Sequence, residues 1–104
     1  MKDFVDLAGA SGASYRFRSA RTVEPQRIAG NYAVLRPRAK GFAVLHVGAT
    51  DDLSAAHAEC PPEIMKRGAQ LYVRLNVSRG PREAEHADLV AKYGAPATSS
   101  DEQR

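Results

Sequence analysis

The sequence predicts a two-layer α+β domain, in which helices flank a small antiparallel or mixed sheet of three to four strands with a central hairpin. Three observations support this fold class. Two segments of alternating apolar residues, joined by a basic turn, predict the hairpin. A third alternating segment predicts a separate strand, and a late stretch with apolar residues at helical spacing predicts a helix.

The predicted hairpin lies between residues 30 and 50, and its turn contains Pro37 and Gly41. Successive side chains of a strand point to opposite faces, so every second residue shares a face. Tyr32 stands at the start of the first strand and His46 near the end of the second. We therefore expect these two side chains to lie side by side at one end of the pair.

The residues before the hairpin predict one added strand. Residues 1–14 look irregular, whereas residues 15–19 alternate aromatic residues with arginines, as a half-buried strand does. After the hairpin, Thr50 is a suitable N-cap for a short helix over residues 51–58. Pro62 can begin a further turn, because proline is favoured at the first position of a helix.

Residues 70–77 form the clearest predicted strand, since every second residue is large and apolar. Its opposite face is polar. If the strands pair, we expect this polar face to join that of the hairpin in one semi-polar surface where a ligand would bind. The members of this surface are Tyr32, Arg36, His46, Tyr72, Arg74 and Asn76.

The last predicted element is a helix that begins at Pro81 and runs to Tyr93, with Gly94 after its final turn. His86 and Leu89 fall at helical spacing on this helix, so His86 shares its buried stripe.

The composition is that of one globular domain, with 104 residues, 43% of them hydrophobic and 26% charged. We divide it into an N-terminal extension with the added strand (1–29), a central domain (30–94) and a flexible tail (95–104). No apolar run approaches the roughly 18 residues needed to span a bilayer. Acidic residues also interrupt the amino terminus, where a signal peptide would be apolar. A cytoplasmic location without a membrane partner is therefore expected.

The net positive charge lies in the first half of the chain. Residues 1–50 contain eight Lys and Arg against three acidic residues, whereas the rest contains seven against nine. Three of the basic residues, Arg36, Arg38 and Lys40, cluster at the hairpin turn. Because Lys and Arg are the residues that contact phosphates, this pattern favours a polyanionic partner. The alternative is solvated charge on an exposed turn.

Residues 30–32 read GNY and residues 46–48 read HVG, one tripeptide on each strand of the predicted hairpin. They resemble the paired tripeptides of the GIY-YIG nuclease superfamily. Residues 50–53 resemble the helix start that follows in such domains, and residues 83–96 resemble their late helix. The resemblance implies a GIY-YIG-like fold. In that superfamily two tyrosines, an arginine and a metal-binding glutamate cleave a phosphodiester.

The resemblance implies that Tyr32 and His46 occupy the two tyrosine positions, where His46 can still act as a base. The arginine position is occupied by Ala56 and the glutamate position by His86. Glu85 would bind Mg²⁺ or Mn²⁺ if the helix is rotated. Arg74 would replace the arginine from the neighbouring strand. The candidate catalytic residues are then Tyr32, His46, Arg74 and His86.

Loss of the arginine and the glutamate implies weak or lost endonuclease activity, and leaves open whether the chain is an enzyme. The predicted function is nucleic-acid binding, with DNA favoured over RNA. The residues expected to bind are Arg36, Arg38, Lys40, Arg74 and Asn76. The alternative is a catalytically dead domain reused for protein interaction or regulation, with an interface centred on Phe42, Val44 and Tyr72.

Structural explanations also exist for the same residues. Tyr32 and His46 could form a hydrogen-bonded pair on the sheet, and His86 could be a partly buried residue bonded to a carbonyl. A zinc site would need His46, His57 and His86 to converge, although their spacing is not that of a ligand set. Cys60 could act as a nucleophile, but it lies in a Cys-Pro-Pro turn.

Overall fold

A computed structural model describes residues 2–66 and 68–94 of the chain, so the predicted tail over 95–104 lies outside the described residues. The strands are β1 (Phe4–Ala8), β2 (Ser14–Ser19), β3 (Gly30–Pro37), β4 (Phe42–Thr50) and β5 (Gln70–Leu75). A 3₁₀ turn (Leu53–Ala55) continues into α1 (Ala56–Glu59), and α2 spans Arg79–Tyr93. None of the described helices is long and apolar enough to cross a membrane.

The five strands form one antiparallel half-barrel sheet in the order β1-β2-β5-β3-β4. The α+β class is therefore confirmed, but the expectation of three to four strands is wrong. The extra strand is β1, in the segment that looked irregular, and it pairs with β2. Its alternation covers only five residues and includes the exposed Phe4 on the outward face, which hides the pattern.

The predicted hairpin is confirmed as β3 and β4. The amide of Arg38 donates to the carbonyl of Gly41 at 3.0 Å and closes the turn. Gly41 has a φ of +83°, a conformation that glycine adopts without steric cost.

A β-bulge in β4 changes which side chains share a face. Val34 pairs with His46 and Leu35 pairs with Val44, so Leu45 is the extra residue. In a regular strand Val44 and His46 would point the same way. The bulge sends them to opposite faces of the sheet, because each follows its partner on β3.

The two faces of the sheet bury separate cores. We call the side that packs on α2 the α2 face, and the side covered by the 3₁₀ turn and α1 the α1 face. The α2-face core consists of Val5, Leu7, Phe17, Ala33, Leu35, Val47, Tyr72 and Leu89. The α1-face core consists of Tyr32, Val34, Leu53, Ala56, Cys60, Leu71 and Val73.

The helices begin at other residues than predicted. Thr50 still pairs with Gly30 in the sheet, so Asp52 becomes the cap of the 3₁₀ turn and accepts from the amide of Ser54 at 3.0 Å. Helix α2 begins at Arg79, two residues before the predicted start.

The end and the buried stripe of α2 agree with the prediction. Gly94 follows the helix with a φ of +78°, and its amide closes the last turn. Leu89 is buried and His86 is half-buried on the same stripe.

Candidate functional site

Tyr32 and His46 lie next to each other on the α1 face, as the sequence predicts. Their ring centroids are 5.9 Å apart, and the planes are tilted by 33°. Only 4% of Tyr32 and 2% of His46 is exposed, so the pair belongs to the core and not to an open surface. A phosphodiester could not reach either ring without a rearrangement of this core.

The ring of Tyr32 lies directly over Gly48, its partner on β4. A Cβ atom at position 48 would lie 2.3 Å from Cζ and 2.6 Å from the hydroxyl oxygen of Tyr32. Glycine is therefore required here by the close approach of an aromatic side chain. The tyrosine and glycine of the two tripeptides thus have a packing role in this chain.

Ala56, which the resemblance predicts at the arginine position, is fully buried in the same core as Tyr32. Burial raises the pKa of Tyr32, and the charge of Glu59 raises it further. Burial likewise raises the pKa of Cys60 to about 11, with a smaller effect from Glu63. Both groups are protonated near neutral pH, which excludes a resting phenolate base and a reactive thiolate.

Arg74 and Glu85 form an ion pair on the α2 face. The Nε atom of Arg74 donates to Oε1 of Glu85 at 2.8 Å, and the two side chains are 29% and 17% exposed. The guanidinium carbon also lies 5.5 Å from the ring centroid of Tyr15. Both residues therefore have structural partners in the free protein.

The expectation that six polar side chains share one face is wrong. Tyr32 pairs with Val73 on β5, while Arg74 pairs with Asn31. Paired residues of an antiparallel ladder point the same way, so Arg74 lies on the opposite face from Tyr32. Tyr72 and Asn76 are each an even number of residues from Arg74, so they also lie on the opposite face from Tyr32. The sheet separates Tyr32 and His46 from Arg74 and His86.

His86 packs against the α2 face and does not approach Tyr32. Its Nδ1 atom is buried and has no hydrogen-bond partner in the part of the chain that the structure describes, so the expected carbonyl partner is not found at this atom. Burial lowers the pKa of His86. No group of three His, Cys, Asp or Glu side chains within residues 2–66 and 68–94 could hold a metal ion. The zinc alternative has no support there, since His46 and His86 are on opposite faces.

Asn76 belongs to a network that joins β5 to the start of α2. Its side-chain amide donates to Asn31 Oδ1 at 2.9 Å, and Asn31 donates to the carbonyl of Arg82 at 3.1 Å. Arg82 in turn donates to the carbonyl of Val77 at 2.8 Å. These contacts fix the entry of the chain into α2.

The hairpin tip, defined by Arg36, Arg38 and Lys40, is exposed. Within the described residues no carboxylate lies at ion-pair distance from these three cations. The tip borders a cleft of about 660 Å³ between the two edge strands of the sheet, which we call the basic cleft. The cleft is lined by Lys2, Phe4, Val5, Asp6, Arg16, Pro37, Arg38, Gly41 and Phe42.

Sequence reasoning missed the contribution of the N-terminal residues to this cleft. The alternation over 15–19 does place Arg16 and Arg18 on one outward face. No local pattern, however, could show that the curvature of the sheet brings Arg16 and Phe4 to the same cleft as Arg38.

Comparison of the chain with family models, curated proteins and solved structures gives no match. Membership of the GIY-YIG superfamily therefore stays a prediction that rests on the residues themselves. The function has to follow from the chemistry of this chain's own surfaces.

Proposed function

We propose that this protein is a nucleic-acid-binding domain of GIY-YIG-like organisation, with weak or lost endonuclease activity. The observation that carries this proposal is the exposed hairpin tip, where Arg36, Arg38 and Lys40 lie close in sequence without carboxylate partners among the described residues. Such cations can replace the counterions of a phosphate backbone, which is the main source of affinity for nucleic acids.

Weak or lost catalysis is supported by the places of the four candidate catalytic residues. Tyr32 is buried and protonated, and Arg74 is held by Glu85 on the other side of the sheet. Loss of one electrostatic stabiliser of a transition state lowers a rate by roughly 10²–10³. We therefore expect no more than trace cleavage.

Any residual cleavage would require Mg²⁺ or Mn²⁺, for which Glu85 is the candidate ligand. The surroundings of Glu85 do not fit such a site, because its carboxylate is paired with Arg74. No cluster of three ligating side chains surrounds it within the described residues.

The alternative function, a protein-interaction or regulatory module, is favoured by the outer strand β4, which has one edge without a strand partner among the described residues. The predicted interface would lose its third member, because Tyr72 is fully buried, while Phe42 and Val44 are only partly covered. Salt distinguishes the two functions, since phosphate contacts weaken steeply with added salt and an apolar interface does not.

The test is binding of labelled branched and single-stranded DNA and RNA, measured by fluorescence anisotropy over a series of salt concentrations. The variant Arg38→Gln/Lys40→Gln removes two charges from the tip, and Arg27→Gln/Lys92→Gln removes two exposed charges elsewhere. The tip variant should reduce the slope of log K against log salt by about 0.7–0.9 for each lost phosphate contact. The control should change it far less. Equal effects of the two variants would count against the tip, and absence of binding at low salt would reject the nucleic-acid function.

The same substrates, incubated with Mg²⁺ or Mn²⁺, test the catalytic part of the proposal. Tyr32→Phe removes only the hydroxyl and keeps the ring over Gly48, and Tyr93→Phe is a matched control on α2. We expect little or no cleavage by the native chain. Substantial cleavage that Tyr32→Phe abolishes and Tyr93→Phe retains would overturn the assignment of a degenerate centre.

A further inference from the structure

We propose that the basic cleft binds an unstacked base of a single-stranded nucleic acid, with the adjoining phosphates on Lys2, Arg16 and Arg38. This inference deepens the nucleic-acid function proposed above and rests on it. It adds a site formed largely by the N-terminal hairpin, β1 and β2, and it selects single strands over duplexes.

The charges of the cleft come from both of its walls. Lys2 and Arg16 line one wall, and Arg38 of the hairpin tip lines the other. The acidic residue of the cleft, Asp6, lies 3.0 Å from Arg16, in a pair whose side chains are 62% and 51% exposed. Exposed pairs of this kind contribute little stability, so a phosphate could replace Asp6 as the partner of Arg16 at low cost.

The position of Lys2 is fixed by the core of the domain. The hydroxyl of Tyr72, whose side chain is buried in the α2-face core, donates a hydrogen bond to the carbonyl of Lys2. The N-terminal wall of the cleft is therefore hydrogen-bonded to the central strand β5. The N-terminal segment does not have to become ordered for the site to form.

The cleft also offers planar groups for stacking. Phe4 is 42% exposed although it is a large apolar residue, and the guanidinium carbons of Arg16 and Arg18 each lie 5.2 Å from its ring centroid. Phe42 lines the opposite wall and is partly buried. Nucleobases stack on aromatic rings and on guanidinium planes alike, and basic grooves with exposed aromatic rings are typical of proteins that bind single strands.

The size of the cleft favours one base over a duplex. Its volume of about 660 Å³ lies within the range of pockets that enclose small molecules. In a duplex the base faces are stacked on one another and cannot contact Phe4, whereas a flexible single strand can turn one base inward. The phosphates that follow would then lie along the exposed hairpin tip.

The experiment compares a single-stranded oligothymidylate with a blunt DNA duplex of equal length, bound to the full chain and to two variants. Phe4→Leu keeps an apolar side chain but removes the ring, and Val77→Ala alters an exposed apolar residue outside the cleft. Phe4→Leu should weaken single-strand binding by about tenfold, in keeping with the loss of one stacked base. Duplex binding by Phe4→Leu should change less than about twofold, and Val77→Ala should leave both affinities unchanged.

A second readout does not depend on affinity. The chain contains four tyrosines but no tryptophan, so Phe4→Trp introduces a single tryptophan in the cleft that can be excited selectively, and Val77→Trp serves as its control. Stacking of a base on the introduced indole should quench its fluorescence with the single strand and much less with the duplex. Thermal melting followed by circular dichroism verifies that each variant is folded.

The outcomes separate this site from the function on which it rests. Unchanged single-strand affinity in Phe4→Leu, or absence of quenching in Phe4→Trp, overturns the cleft site. If binding then still depends on the charges of the hairpin tip, nucleic-acid binding survives without the cleft. If neither oligonucleotide binds at low salt, both proposals fail.

Discussion

The two faces of the sheet hold the candidate site residues in different ways. On the α1 face, Tyr32 and His46 lie side by side and are buried. On the α2 face, Arg74 forms an ion pair with Glu85 from the helix above it. Burial on one side and pairing on the other both withdraw these groups from solvent.

The difference predicts how each face responds to mutation. The α1 face depends on close packing, so added atoms clash there and removed atoms leave a cavity. The polar end of the α2 face depends on complementary charges, so loss of one partner leaves the other half-buried and unpaired. Substitutions that change side-chain volume should lower stability most on the α1 face. Substitutions that change charge should lower it most on the α2 face.

The largest expected effect is that of Gly48→Ala, because the new Cβ would overlap the ring of Tyr32. We expect the free energy of unfolding to fall by about 2–3 kcal/mol, which is at the upper end of typical overpacking costs. Urea denaturation of Gly48→Ala, Tyr32→Leu and the double variant measures the coupling between the positions. Gly48→Ala should cost clearly less in the Tyr32→Leu background. The same cost in both backgrounds would show that the ring is not the obstacle.

Charge changes on the α2 face should have an intermediate effect. Glu85→Gln and Arg74→Met should each destabilise the protein by about 1–2 kcal/mol, because the pair is mostly covered. The pair Arg79–Glu83 has the same donor–acceptor distance of 2.8 Å but side chains that are 81% and 61% exposed, and it is a matched control. A double-mutant cycle at this control pair should give a coupling below about 0.5 kcal/mol. Equal coupling energies in the Arg74–Glu85 and Arg79–Glu83 pairs would show that burial does not strengthen the Arg74–Glu85 pair.

Most elements of this fold could be predicted from sequence, but the pairing between them could not. Periodicity identified β2, β3, β4, β5 and α2, each of which spans at least six residues, whereas the missed strand β1 spans five. The register that places Tyr32 opposite Val73 joins residues about forty positions apart. No local pattern fixes such a register, and a shift of one residue would have placed Tyr32 and Tyr72 on the same face.

The candidate site shows the same limit. Tyr32 and His46 share a face only because of the bulge in β4, since the register at the turn, continued without it, would pair Tyr32 with Val47. The bulge at Leu45 had no sequence signal such as a glycine. The basic cleft was not predictable either, since it requires the curvature of the whole sheet to bring Phe4 near Phe42.

The smallest expected effect concerns pH and again belongs to the α2 face. Burial lowers the pKa of His86 below its ordinary value of 6.5, so the unfolded chain takes up a proton at a higher pH than the folded chain. The stability that neutral His86 contributes is complete above pH 6.5 and is lost as the pH falls through the lowered pKa. Urea midpoints should therefore decrease between about pH 7.5 and about pH 5.5, a range above that in which most carboxylates titrate.

His86→Gln should reduce this decrease, because glutamine remains neutral across the range, whereas His57→Gln, at an exposed position, should retain it. Each variant replaces one histidine and keeps the other two. A smaller decrease in His86→Gln than in His57→Gln therefore assigns the pH dependence to His86. An unchanged decrease in His86→Gln would mean that His86 is as easily protonated in the folded protein as in the unfolded chain. The interior of the α2 face would then tolerate an unpaired positive charge. At this position the α2 face would not depend on charge pairing, and its contrast with the packing-dependent α1 face would not hold.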